Sequence, residues 1–162
     1  MNAATTRPRI LGVDHVSWTV PDLDAAINFY AEAFGATVLF RIGPIDGADI
    51  PPETSGRDWM ETHVGVKGAR ITLAMLQLAP NLKFQMIQYD KPADRRQDMP
   101  RNCDRGGHHI GILVEDVDAT VAWLAARGCK VLETIAMDAG PLAGKKNVYV
   151  QDPWGHQLEI VD

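Results

Sequence analysis

Four side chains in this chain have the types and settings to hold a divalent metal: His15, Gln85, His109 and Glu159. Each histidine opens a short apolar run, His15-Val16-Ser17-Trp18-Thr19-Val20 and His109-Ile110-Gly111-Ile112-Leu113-Val114. Gln85 stands between Phe84 and Met86, and Glu159 between Leu158 and Ile160. A polar residue flanked by apolar neighbours in a strand turns to the face opposite theirs, because side chains alternate along a strand. Two imidazoles and one carboxylate suit a divalent transition metal, with the amide oxygen of Gln85 as a weaker fourth donor. Cys103 and Cys129 are isolated and form no CxxC, so a thiolate site or disulfide framework is not expected. Zinc, nickel, cobalt, manganese and iron are the candidates, and the imidazoles argue against a site for magnesium or calcium alone.

The elements that would place these groups come in two copies. At an offset of 94 residues, His15 matches His109, Val20 matches Val114, Asp22 matches Asp116, Asp24 matches Asp118 and Ala25 matches Ala119. Each histidine strand runs into an Asp that can cap a helix. In the first copy the strand is expected over 10–20. Its helix buries Leu23, Ala26, Ile27, Tyr30 and Phe34, and Gly35 ends it. Strands are expected at about 37–42, 61–66, 70–78 and 82–89, with a hairpin at Lys67-Gly68. In the second copy the strand at 109–114 leads to a helix from Val117 to about Arg127. Strands follow at about 130–135, 146–151 and 157–161, and Asp152-Pro153-Trp154-Gly155 turns between the last two. Residues 43–58 read as a long polar loop that could serve as a lid.

The resulting organisation is a leader at 1–9, a first module at 10–90, a charged linker at 91–105 and a second module at 106–162, within one compact domain. A net charge of −5 argues against a nucleic-acid partner. No run of about 18 apolar residues points to a membrane span. The N-terminus lacks the apolar core of a secretion signal, and cysteine usage fits a reducing, cytoplasmic setting.

The chain resembles the vicinal-oxygen-chelate superfamily, which includes glyoxalase I, methylmalonyl-CoA epimerase, extradiol dioxygenases and bleomycin-resistance proteins. The resemblance runs from about Ile10 to Val161. It rests on Asp14-His15-Val16 with Pro21-Asp22-Leu23-Asp24 and Phe29-Tyr30, on Gly107-His108-His109-Ile110, and on Asp152-Pro153-Trp154-Gly155-His156-Gln157-Leu158-Glu159-Ile160. It implies an α+β fold of two tandem βαβββ modules, forming a cupped mixed sheet around a metal with helices outside. It also implies His15, Gln85, His109 and Glu159 as ligands, a pattern similar to that of methylmalonyl-CoA epimerases. Such an epimerase carries a further carboxylate on an inner strand of the first module. Residues 69–76 hold no acid, and Glu61 is the nearest one.

The implied function is that of a metal-dependent lyase or isomerase, acting on a small oxygenated substrate through an enolate-type intermediate, with Glu159 also moving the proton. Two alternatives stay open. One is a non-haem iron(II) dioxygenase of extradiol type, using His15, His109 and Glu159. The other is a drug-binding resistance protein without catalysis. Trp59 and Met60 after the long loop, Arg101 and Asn102 before the second histidine strand, and Asn147 and Tyr149 on a later strand are the candidate substrate contacts. His63 and His156 read as surface or turn residues, and Asp94-Arg95-Arg96-Gln97-Asp98 as a solvated charged run. A homodimer is expected by resemblance, with no membrane or nucleic-acid partner.

Overall fold

A computed structural model describes residues 9–141 and 143–162, so the expected leader lies outside the described residues except for Arg9. The fold is α+β, two βαβββ modules with the same strand order. In the first, β1 (His15–Thr19) leads to α1 (Leu23–Phe34), β2 (Thr37–Asp46), α2 (Trp59–Val64), β3 (Arg70–Ala79) and β4 (Leu82–Lys91). The sheet order is β1-β4-β3-β2, with β1 and β4 parallel. In the second, β5 (His109–Leu113) leads to α3 (Val117–Ala125), β6 (Lys130–Val131), β7 (Ile135–Ala136), β8 (Lys146–Gln151) and β9 (Gln157–Val161). There the order is β5-β9-β8-β6, again with the first and last strands parallel.

The local signals act as expected at the helix starts. The Asp22 side chain accepts from the Ala25 amide at 2.9 Å, and Asp116 does the same for Ala119 at 2.9 Å. Gly35 closes α1 with φ 70°, a left-handed conformation that a side chain would strain.

Alternation then sorts the strands. Trp18, Phe84, Met86, Leu76, Val148, Val150, Leu158 and Ile160 are buried on the faces covered by α1 and α3, and they form one core shared by both modules. The shared core is cross-tied. Trp123 Nε1 donates to the Ala33 carbonyl at 3.0 Å, and Trp18 stacks on His156 with ring centroids 4.4 Å apart.

Several expectations are corrected. The first strand starts at His15, because Ile10, Leu11 and Val13 are exposed and have no strand partner among the described residues. The segment expected as a strand at 61–66 is the helix α2, so Lys67-Gly68 joins a helix to β3 rather than two strands. The missed signal is Asp58 followed three residues later by Glu61, a capping pattern. Asp58 accepts from the Glu61 amide at 2.8 Å and the Gly68 amide at 3.0 Å, and Gly65 ends the helix. β2 runs on to Asp46, into the expected loop. The single strand expected at 130–135 is two short pieces.

Cys129 lies in the shared core, and burial pushes its thiol up to about 11. Cys103 is exposed. A thiolate is the reactive form, so Cys129 stays protonated and inert until the pH approaches that value. We expect a thiol reagent at pH 8 to label one cysteine of the native protein, Cys103, and both after unfolding. Labelling of both under native conditions, checked by peptide mass, would contradict this burial.

Candidate metal and substrate site

Strand register sets the first half of the site. Ser17 pairs with Gln85 across β1 and β4, so Gln85 shares a face with His15, Ser17 and Thr19, turned away from the common core. His15 Nδ1 lies 2.8 Å from Asp14 Oδ1, and Lys83 Nζ donates to Asp14 Oδ2 at 2.5 Å. The Lys83 contact first, and then His15, hold the Asp14 carboxyl below its usual range. An ionised Asp14 accepts a hydrogen bond from Nδ1–H of His15 and leaves Nε2 free to bind a metal.

The second half is tighter. His109 Nε2 stands 3.3 Å from Glu159 Oε2. The Tyr149 hydroxyl is 3.5 Å from the same nitrogen, and Asn147 Nδ2 donates to Glu159 Oε1. Tyr149 pairs with Glu159 across β8 and β9, so the two project from adjacent strands on one face. Burial first, and then the Glu159 charge, push the Tyr149 phenol up, so its hydroxyl stays protonated. Asn147 is buried by its bond to Glu159. His108 faces the other way, with its ring 5.9 Å from Trp18.

The two halves do not meet within one chain. Among the described residues, no three His, Cys, Asp or Glu side chains converge as a metal-binding group. β1 and β5 are each an edge strand of a separate sheet.

The remaining candidates are dispersed. Met60 is fully buried in a second apolar cluster with Ala69 and Ile71, against which Leu73, Ile87 and Tyr89 pack. Register puts Leu73, Ile87 and Tyr89 on the Gln85 face, so α2 sits over that face. Trp59 is half-buried in the same cluster and stacks on His63. Arg101 is committed to a turn, where its guanidinium grips Asp104 at 2.9 and 2.8 Å. Asn102 is exposed in that turn. His156 closes the β8–β9 turn, as expected of a turn residue, but it is buried rather than at the surface. It is 2% exposed, with Nδ1 2.9 Å from Asp152 Oδ2 and Nε2 3.2 Å from the Thr19 carbonyl.

Comparison with known proteins adds four findings. The profile of the Glyoxalase/Bleomycin resistance protein/Dioxygenase superfamily matches residues 12–160. A 2-epi-5-epi-valiolone epimerase from an Actinomyces species is 40% identical over 160 residues, covering 96% of this chain and 81% of that protein. A probable chloroplastic lactoylglutathione lyase from Arabidopsis thaliana is 29% identical, over 91% of this chain and 35% of its own length. A glyoxalase family protein of solved structure from Bacillus cereus superposes with a TM-score of 0.73 at 19% identity, over 98% of this chain and 97% of that one.

Gly107 sets the entry of β5 and hence the position of His109. A Cβ there would stand 2.2 Å from the Arg101 carbonyl oxygen and 2.8 Å from that of Asn102. Relief requires the backbone of the turn to move. We expect Gly107→Ala to destabilise the protein by about 1–3 kcal/mol, read from urea unfolding. An unchanged unfolding midpoint would show that the turn yields freely.

Proposed function

The chain belongs to the Glyoxalase/Bleomycin resistance protein/Dioxygenase superfamily, and from that premise we propose that it is a metal-dependent epimerase of a small hydroxylated ketone, 2-epi-5-epi-valiolone or a close analogue. Its named relatives place it among the isomerase and lyase enzymes of that superfamily. The observation that carries the metal reading is the His109–Glu159 pair at 3.3 Å, on neighbouring strands and open to solvent. The epimerase reading follows the Actinomyces relative, which is similar over most of both chains.

The donor set suits a divalent transition metal. His109 and Glu159 supply an imidazole and a carboxylate, while His15, oriented by Asp14, and Gln85 supply the second imidazole and an amide oxygen. A metal held there would draw electron density from a substrate oxygen beside the reacting carbon. The chain's own groups do the rest. Glu159 takes the proton from the carbon next to the carbonyl, leaving the electron pair delocalised onto the carbonyl oxygen as an enolate. The Asn147 amide holds Oε1 and fixes the carboxylate. Solvent water returns a proton to the opposite face of that carbon, which inverts the centre, and Glu159 releases its proton to solvent.

The working unit is a homodimer in which β1 and β4 of one protomer face β5 and β9 of its partner. Three features support this. The ligand pairs stay apart within one chain. Both β1 and β5 present open sheet edges, and open edges invite pairing with another chain. Large apolar side chains are also left exposed on both modules. Phe40, Ile42 and Leu113 are among the apolar residues left uncovered.

Subunit mixing tests the shared site. His15→Ala and His109→Ala should each lose the bound metal. When they are unfolded together and refolded as a mixture, about a quarter of the sites should return, since only the mixed dimer rebuilds one intact site of its two. Recovery of none, with the mixed dimer confirmed by mass, would place all ligands within one chain.

Solvent isotope exchange tests the chemistry. In D2O the wild type should introduce deuterium beside the carbonyl of 2-epi-5-epi-valiolone, seen by NMR. Glu159→Gln should lower that rate by roughly 100-fold or more. Exchange at an undiminished rate would remove Glu159 as the base.

A further inference from the structure

The charged run 94–98 is solvated at Asp94, Arg96, Gln97 and Asp98, as expected, but Arg95 is half-buried. The run straps across the end of β1, and Arg95 and Arg96 line cavities on both of its sides. The larger cavity, about 320 Å³, is bounded by Thr19, Val66, Tyr89, Pro92, Arg95 and Arg96. The smaller, about 170 Å³, shares Thr19 and both arginines.

The two guanidinium groups differ. Arg96 is paired with Asp98, at 2.6 and 3.0 Å. Arg95 is half-buried, and the one hydrogen bond of its side chain among the described residues runs from a terminal nitrogen to the Pro92 carbonyl at 3.0 Å. No carboxylate pairs with it among the described residues, in a chain of net charge −5. A guanidinium partly withdrawn from water without a counter-charge is costly, and its remaining N–H donors match an oxyanion in geometry and sign. Val66, Pro92 and the ring of Tyr89 supply an apolar wall beside it.

We propose that Arg95 and the cavity it lines form an oxyanion-binding site, for the phosphate ester or carboxylate of a small organic molecule whose body packs on Tyr89, Val66 and Pro92. Thr19 lies on the same face of β1 as His15, about 13 Å further along the strand. The site is therefore the far end of the same cleft, a placement that rests on the function proposed above. The oxyanion contact itself does not depend on it.

Inorganic phosphate and acetate, titrated separately into the intact protein by calorimetry, test this and tell the two oxyanion sources apart. At least one should bind. Arg95→Gln should weaken it by roughly tenfold or more, and Arg95→Lys, which keeps the charge and loses the planar fork, should fall between. His109→Ala should bind it as the wild type does, so a failed metal site and a failed oxyanion site are distinguishable. Arg41→Gln, remote from the cavity, serves as the charge control. Binding of neither anion, equal binding by Arg95→Gln, or loss in His109→Ala would overturn the proposal. If Arg95→Gln fails to fold, Arg95→Lys carries the same comparison.

Discussion

One buried carboxylate, that of Asp152, holds the two modules to each other. It is 3% exposed. Its oxygens accept from the Tyr30 hydroxyl at 2.9 Å and from the backbone amides of Trp154 and His156 at 2.9 and 2.8 Å, and His156 Nδ1 lies 2.9 Å away. A buried carboxylate is tolerated only when its lone pairs are occupied, and here donors from α1 and from the β8–β9 turn occupy them together. Burial, and then the charge of Asp152, push the Tyr30 phenol well up, so it remains a donor. His156 passes the link to the Thr19 carbonyl and stacks flat on Trp18. The end of β1, the start of β9 and the middle of α1 are thereby fixed relative to one another.

That junction determines where chemistry can occur. The modules meet through the faces covered by α1 and α3, and strand alternation sends His15, Gln85, His109 and Glu159 to the other faces. Asp14, itself paired with Lys83, contacts His15 on one side, while Asn147 and Tyr149 contact Glu159 and His109 on the other. A shared core of this kind leaves two half-sites per chain, which is the ground for the proposed dimer.

The segments that break the likeness of the two modules lie around those faces. α2, between β2 and β3, has no counterpart in the second module and covers the Gln85 face with its own small core. The linker between modules lies over the end of β1 and brings Arg95 to a cavity.

Much of this was legible in the sequence, because its signals are local. Capping aspartates, helical stripes and period-two alternation depend on residues within a few positions of each other. They gave α1, α3, the strands that matter and the face of each candidate ligand. Asp58 with Glu61 is an equally local signal for α2, set against Val64-Gly65-Val66, which reads as the end of a strand. Tertiary structure alone decided the rest. Whether two half-sites meet depends on which faces the modules bury together. Burial of His156 depends on a turn folding against β1, 137 residues away in sequence. The solitary position of Arg95 depends on which carboxylates the fold leaves out of its reach. Long-range contacts of this kind leave no periodicity in the chain, since either arrangement would use the same strands and the same alternation.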